Sequence, residues 1–447
     1  MAVDEPAVCS PAPPFGQGMT AVGRRRAVAM VAVGLSTVVE WYDFTLCLYF
    51  APTLSRVFFG NDDKALDTTL AGFAIAYLMR PFGAILFGLF GDRYGRRPTL
   101  LVSMAAMTLT MLCLALLPTY AQVGSWAGGG LILMRCLMGL SVGGEYTAVV
   151  AYLFESAPVH RRGLVTSIAA ASSEIGGLLA VGSCAVLARN LDVAQLDAWG
   201  WRIPFLFGGA LAGAVWLTRN IIVETPLFHA QPDGASAAIR PLIFVLRFEA
   251  RGIALGFAMS ALGSVTYYVG ITYVPSFLAT AGRSNEAQAL EFSTLAALVV
   301  IAVTPCFGWL SDIAGRKPVL LGLCLACVIL PVAMFQLIAS GSTEAAITGV
   351  AILAVLGGGV SAVGATATAE QFSDAVRLSG LALGATTATA LFGGAAPYVV
   401  HALQKLTGSV EIPGGLIAAV AACVGLTLAI FLPHSPGSAA PDRRNPA

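Results

Sequence analysis

An all-α polytopic membrane protein, with twelve transmembrane helices in two pseudo-symmetric six-helix bundles, is the fold class that three observations predict. The 447-residue chain is 57% hydrophobic and only 11% charged, with a mean hydropathy of +0.81, whereas a soluble domain carries about 25% charged side chains. Its apolar runs match the roughly 20 residues needed to cross a bilayer. A loop sequence that follows the second run also recurs after the eighth. Little length remains for a soluble catalytic domain, so an enzyme is not expected.

In chain order, a Pro-rich N-terminal tail (1–26) ends in Arg24, Arg25 and Arg26. The apolar run behind it far exceeds a signal-peptide core of roughly 7–15 residues, so it reads as a retained first span. Runs fall at 27–50, 70–91, 98–118, 128–155, 163–188 and 202–222, which form an N-terminal bundle over 27–222. A polar linker, 223–250, separates these from runs at 251–280, 290–311, 318–340, 345–370, 378–404 and 412–432, a C-terminal bundle over 251–432, and a short tail covers 433–447.

Most Lys and Arg in the breaks fall on one side, including Arg24 to Arg26, Arg93, Arg96, Arg97, Arg161, Arg162, Arg316 and Lys317. The other side keeps Arg56, Lys64, Arg189, Arg202, Arg283 and Lys405. Cytoplasmic loops retain positive charge, which predicts both termini in the cytoplasm.

Bulk charge identifies no partner: the formal net charge of +1 supplies no basic field for nucleic acid. The nine cysteines are scattered, mostly within apolar runs, and Cys324 with Cys327 reads as two small apolar side chains. His160, His229, His401 and His434 are dispersed, so no metal site is expected.

Gly91-Asp92-Arg93-Tyr94-Gly95-Arg96-Arg97-Pro98 recurs as Ser311-Asp312-Ile313-Ala314-Gly315-Arg316-Lys317-Pro318, an offset of 220. Two related bundles imply a pathway along their interface, with the bundles rocking about a site at the membrane midplane.

An ionised side chain at the bilayer centre costs about 2.5–3.5 kcal/mol on insertion scales, so intramembrane charges mark function and face inward. At about 1.5 Å per residue, Glu40 and Asp43 lie roughly 20–24 Å above the cytoplasmic end of the first run, and Arg135 roughly 10 Å below the outer end of the fourth. Arg80 and Glu174 each lie about 15–16 Å from a face. Five ionisable groups therefore share one layer, all in the first half. Glu40 and Asp43 stand three apart on one helix face and are expected to couple a proton, with pairing to Arg80 or Arg135 as the structural alternative. The arginines are fixed cations that could hold a substrate carboxylate or these acidic groups. With all five ionised the layer sums to minus one, a deficit that one proton would cancel. Glu145 lies lower, as a cytoplasmic gate or structural partner.

The second half offers polar rather than charged groups at this depth: Tyr267, Tyr268, Tyr273, Gln336, Thr386, Thr387 and Tyr398. Gly139 with Gly143, Gly209 with Gly213 and Gly380 with Gly384 have the small-xxx-small spacing of close helix contacts.

The repeated Gly91 to Arg97 loop, twelve spans and internal duplication resemble the major facilitator superfamily. Glu40-Trp41-Tyr42-Asp43-Phe44, Arg80-Pro81-Phe82-Gly83, Gly143-Gly144-Glu145-Tyr146, Glu155-Ser156-Ala157-Pro158 and Leu391-Phe392-Gly393-Gly394 bring the chain closer to its metabolite:proton symporter family. That resemblance implies a multi-pass symporter of the bacterial inner membrane, working by alternating access on a small carboxylate-bearing metabolite such as a di- or tricarboxylate or 2-oxo acid. It implies coupling at Asp43 and gating at Asp92, Arg93 and Arg96; the intramembrane residues themselves add Glu40 and Glu174 to the coupling group and give a substrate site from Arg80, Arg135, Tyr42, Tyr267, Tyr268, Gln336 and Thr386. The full gating group is Gly91, Asp92, Arg93, Gly95, Arg96, Arg97, Asp312, Gly315 and Arg316. No cofactor is expected beyond the proton gradient, and the expected partners are a small organic acid, a proton and lipid, with the chain a monomer. An uncoupled or exchanging carrier, or a symporter of a zwitterion such as proline or betaine, remains the alternative. Where the family often carries Gly-Asn before the first-helix Glu and an Asn in helix eleven, this chain has Ser36-Thr37-Val38-Val39 and Ala385-Thr386-Thr387. The tail after Phe431 has no heptads, unlike the coiled coil of osmosensing members.

Overall fold

The computed structural model describes residues 35, 37–60, 62, 64–94, 96–143, 145–219, 249–281, 285–373 and 377–433, without the side chains of 85, 88–94, 96–100, 145, 146, 148, 152, 156, 218, 219, 280, 281 and 378. These residues form twelve spans and, among them, no strand. Helix α1 covers 37–49 and continues, after a break at Phe50, as Ala51–Phe59. Then come α2 (Ala65–Tyr94), α3 (Arg96–Ala115), α4 (Trp126–Ser141, resumed as Glu145–Ser156), α5 (Arg162–Asn190) and α6 (Arg202–Arg219). The second half has α7 (Ala250–Tyr267, widened over Tyr268–Thr272 and continued as Val274–Ala281), α8 (Glu286–Ala314), α9 (Arg316–Ile338) and α10 (Thr343–Ala369). Last are α11 (Arg377–Leu381 to Ala395–Thr407, widened over Ala382–Thr386 and Thr389–Gly394) and α12 (Ile412–Phe431). The α6 C-terminus and the α7 N-terminus flank the linker, and the end of the molecule they share is called the linker end; the opposite one is the far end.

From α5 onward, all eight spans are long and apolar enough to cross a membrane. In lipid the backbone must satisfy its own hydrogen bonds, which is why a sequence this apolar folds as helices throughout. Small residues then set how closely the helices approach. A Cβ on Gly139 would lie 2.1 Å from the Ala76 carbonyl oxygen, and one on Gly143 2.1 Å from the Ala84 nitrogen, so α2 and α4 touch backbone to backbone. Gly209 and Gly213 make looser contacts, with Leu112 and Thr108 side chains at 2.6 and 3.7 Å. Across the bundle interface, Gly163 of α5 and Gly308 of α8 face each other, each Cβ position within 2.7 Å of the other's carbonyl oxygen. Gly315, at φ +89, makes the turn from α8 to α9 and donates its amide to the Ser311 carbonyl, in a conformation that side chains rarely adopt.

Candidate functional site: a polar cavity between the bundles

A cavity of about 120 Å³ lies on the bundle interface. Trp41 of α1, Arg80 of α2, Thr147 of α4 and Ser173 with Glu174 of α5 line it from the first bundle. Ser260, Ser264, Tyr267 and Tyr268 of α7, Ser361 and Thr368 of α10, and Thr386 and Thr389 of α11 line it from the second. The widened turns of α7 and α11 carry Tyr268, Thr386 and Thr389 to its wall, as such turns often do at functional sites. Ser264 donates a 3.2 Å hydrogen bond to Thr389, tying α7 to α11.

The five charges of the first half divide into two ion pairs and one carboxylate. Arg80 Nη2 donates to Glu40 Oε1, while Arg135 Nη1 donates to Asp43 Oδ2 at 2.7 Å. The Phe44 ring lies between the two cations, its centroid 4.6 Å from the Arg80 guanidinium carbon and 5.6 Å from that of Arg135. A ring face attracts a cation, so Phe44 holds the two guanidiniums apart without adding charge. Arg80 Nε remains buried without a hydrogen-bond partner. Glu174 is 4% exposed, and among the described residues no Arg, Lys or His nitrogen comes within 4 Å of its carboxylate. The Tyr267 hydroxyl, from the opposite bundle, approaches that carboxylate without reaching good hydrogen-bond geometry.

On the far-end side of these charges the cavity meets an aromatic layer. The Tyr77 and Tyr268 hydroxyls touch across the bundle interface. Trp41 stacks on Tyr268 with centroids 6.3 Å apart and meets Tyr267 edge-on at 5.6 Å.

Of the residues expected at a substrate site, Arg80, Tyr267, Tyr268 and Thr386 do line this cavity, and so does Glu174. Three lie elsewhere. Tyr42 points toward α6, donating to the Pro204 carbonyl at 2.7 Å beside Ser183, because its position on α1 faces the bundle core rather than the interface. Gln336 donates to Glu411 at 2.7 Å at the α9 and α12 termini, near the far end. Arg135, held by Asp43, borders a separate small cavity with Cys47, Thr69 and Phe73. Neither Asp43 nor Glu40 lines the large cavity, although Glu40 reaches it through Arg80.

The expected gating residues also part company. Asp312 accepts the backbone amides of Gly163 at 2.8 Å and Leu164 at 2.9 Å, binding α8 to the N-terminus of α5 in the other bundle. Arg316 donates to Asp312 at 2.8 Å and to Glu370 at 3.1 Å. The backbone of Gly91, Asp92 and Arg93 closes α2, and that of Arg96 and Arg97 opens α3; the side chains of Asp92, Arg93, Arg96 and Arg97, and the whole of Gly95, lie outside the described residues, as do the side chains of Glu145 and Arg219.

Sequence reasoning missed the Arg377 to Glu155 pair, 2.6 Å across the bundles at the linker end. It also missed the far-end pairs that cross the interface, Arg56 with Glu286, Arg189 with Glu291, and Asp67 with Lys405 and His401. The cavity hydroxyls had a legible signal: Ser260, Ser264 and Tyr267 repeat at helical spacing on one face of α7.

The family model described as "Sugar (and other) transporter" matches residues 28–247 and 244–439. The alpha-ketoglutarate permease of Escherichia coli is 33% identical over 387 residues, 86% of this chain and 88% of the permease. The ectoine/proline transporter ProP of Corynebacterium glutamicum is 30% identical over 92% of this chain and 84% of its own length. The proline/betaine transporter of Escherichia coli is 29% identical over 90% of this chain and 83% of its own. Among solved structures, the proton:xylose symporter XylE, a major facilitator superfamily protein, superposes with a TM-score of 0.71 at 20% identity, over 91% of this chain and 96% of that one. That likeness gives the fold, and the sequence matches give the lineage: this chain has the fold of the major facilitator superfamily protein XylE and belongs to the sugar (and other) transporter family, and its relatives are transporters.

Proposed function

We propose that this transporter is a proton symporter for a small carboxylate-bearing metabolite, moved by alternating access through the cavity between the bundles. One observation carries the reading: among the described residues, Arg80 is the one cation on the cavity wall, and its Nε–H is buried without a partner. A guanidinium presents planar donors that match a carboxylate, so Arg80 can take the solute's anionic end while Nη2 keeps Glu40. The hydroxyls of α7, α10 and α11 then hold the rest of the solute. The solutes in the relatives' names, alpha-ketoglutarate, proline, betaine and ectoine, are all small and all bear a carboxylate.

The protein lies in the bacterial cytoplasmic membrane with the linker end inside, following the distribution of Lys and Arg. One proton moving down a 100 mV potential releases about 2.3 kcal/mol, enough for roughly fiftyfold accumulation of a neutral or zwitterionic solute. A monoanion carried with one proton gains nothing from voltage and is driven by the pH gradient alone.

A second reading, a zwitterionic solute, is favoured by Glu174, whose carboxylate shares the cavity with three aromatic rings and could face a solute's ammonium group. Purified protein in liposomes with a lumenal pH dye, offered citrate, 2-oxoglutarate, succinate, shikimate, proline and glycine betaine in turn, separates these. Acidification with an acid that has no amine supports the first reading, and acidification with proline or betaine alone supports the second. Solute entry with no acidification rejects proton coupling.

A further inference from the structure

We infer that Glu174, and neither Asp43 nor Glu40, is the carboxylate that carries the transported proton, with Tyr267 of the opposite bundle as the group that changes its proton affinity as the bundles move. The inference rests on the symport reading above and names the residue within it.

Three carboxylates share the charged layer, and their surroundings differ in kind. Glu40 and Asp43 are fully buried, and each accepts a charge-assisted hydrogen bond from its own arginine. An arginine cannot give up its proton under any physiological condition, so each of these carboxylates has a fixed cation beside it that favours its ionised form. Glu174 is as deeply buried, yet no cationic nitrogen among the described residues lies within 4 Å of it. A lone carboxylate in a low-dielectric interior is costly to ionise, so closing around the solute favours the protonated form; the solute-free return takes the ionised form, which the Tyr267 hydroxyl stabilises by donating to it. The two ion pairs sum to zero, so during the solute-loaded passage the neutral form of Glu174 leaves the protein's own side chains in this layer uncharged.

Position supplies the rest. Glu174 lines the solute cavity, and Asp43 does not. A proton on Glu174 therefore exchanges through the same opening as the solute, which is what couples the two. Glu174 belongs to α5 and Tyr267 to α7, so they part whenever the bundles separate around the cavity. A Cβ on Gly177, one turn along α5, would lie 3.0 Å from the Tyr267 hydroxyl and 3.9 Å from Glu174 Oε2, so the absence of a side chain there leaves room for this approach. With the cavity open to the proton-rich side, a hydronium gives its proton to a Glu174 oxygen and leaves as water. With the cavity open to the other side the same O–H bond breaks, and water takes the proton away.

The test uses full-length protein and a solute from the panel above that wild type carries together with protons. In the purified wild type, infrared difference spectra between acid and alkaline buffer contain a protonated-carboxyl band that disappears in Glu174→Gln and persists in Asp43→Asn. In liposomes, Glu174→Gln lowers pH-driven accumulation at least tenfold, and the solute exchange that remains no longer varies with pH. Glu174→Asp, which keeps a carboxyl group, restores the pH dependence. A band that survives Glu174→Gln and is lost in Asp43→Asn overturns the assignment, as does solute-driven lumenal acidification that persists in Glu174→Gln. If Glu174→Gln loses exchange altogether, the infrared band of the purified variant decides, because it requires no transport. Wild-type uptake without proton movement would instead overturn the symport reading itself, and this assignment with it.

Discussion

The Asp312 carboxylate of the second bundle accepts the Gly163 amide hydrogen of the first at 2.8 Å, at the N-terminus of α5. A helix N-terminus carries unsatisfied N–H groups and a partial positive charge, so one carboxylate both caps the helix and links the bundles. The Gly163 and Gly308 backbones come close enough for this contact because neither bears a side chain. This interface closes the linker end, together with the 2.6 Å pair between Arg377 and Glu155.

Asp312→Ala removes the cap and leaves Arg316 with Glu370 as its remaining carboxylate partner. Breaking a buried pair from one side costs about 3 kcal/mol, so the variant's thermal midpoint in detergent should fall markedly. The linker end should also open more readily. A cysteine placed at Thr368, on the cavity wall, should react faster with a water-soluble thiol reagent in the Asp312→Ala background than in wild type.

At the α2 and α4 crossing, Gly143→Ala places a methyl group 2.1 Å from the Ala84 nitrogen, where only backbone movement can make room. Overpacking of this kind costs about 2 kcal/mol and should shift Arg80, whose carbonyl oxygen lies 2.4 Å from the same point. Gly213→Ala, whose nearest neighbour is 3.7 Å away, is the matched control and should leave stability and transport near wild type. Thermal unfolding of both variants in detergent checks the contrast.

How far the sequence could be read follows from what each signal encodes. Hydropathy and Lys/Arg position respond to the bilayer, so spans and duplication stood out. Depth along a helix also carried over, and it gathered Glu40, Asp43, Arg80, Arg135 and Glu174 into one layer. Azimuth did not carry over. Tyr42 and Asp43 are adjacent in sequence, yet Tyr42 turns to Pro204 on α6 and Asp43 to Arg135 on α4. Nor could depth alone choose which arginine meets which carboxylate, since that choice depends on where α2 and α4 pass α1. Cavity residues such as Ser173 and Thr368 were silent because Ser and Thr commonly bond their own helix backbone in membranes, as Ser173 does to the Ala170 carbonyl.

The Glu40 and Arg80 pair should behave as a unit. Arg80→Ala and Glu40→Ala each leave a charge in the buried layer without the partner seen here, and the double variant should recover about 2 kcal/mol relative to the sum of the singles. Transport should not recover with it, because the solute's carboxylate loses its cation in either Arg80 variant. Thermal midpoints and labelled-solute uptake for the four proteins separate the structural role from the binding role.

At the far end the ion pairs differ in worth. Arg189→Ala breaks a contact between side chains that are 75% and 48% exposed, and it should change stability by no more than about 0.5 kcal/mol. Arg56, 28% exposed, joins Asp197 of its own bundle to Glu286 of the other, so Arg56→Ala should favour opening at this end. Labelling of a cysteine at Thr53, which donates to Glu286, reports that opening; equal labelling rates with and without Arg56 would show that the pair latches nothing.

The most direct test of proton symport imposes no proton gradient. Wild-type protein in liposomes at equal pH on both sides, with membrane potential clamped to zero, receives an inward gradient of a solute that it carries. Under symport the solute gradient alone acidifies the lumen, driving protons uphill until the two gradients balance, and Glu174→Gln abolishes this. Solute that equilibrates while lumenal pH stays constant would contradict it and leave an uncoupled carrier of the same fold.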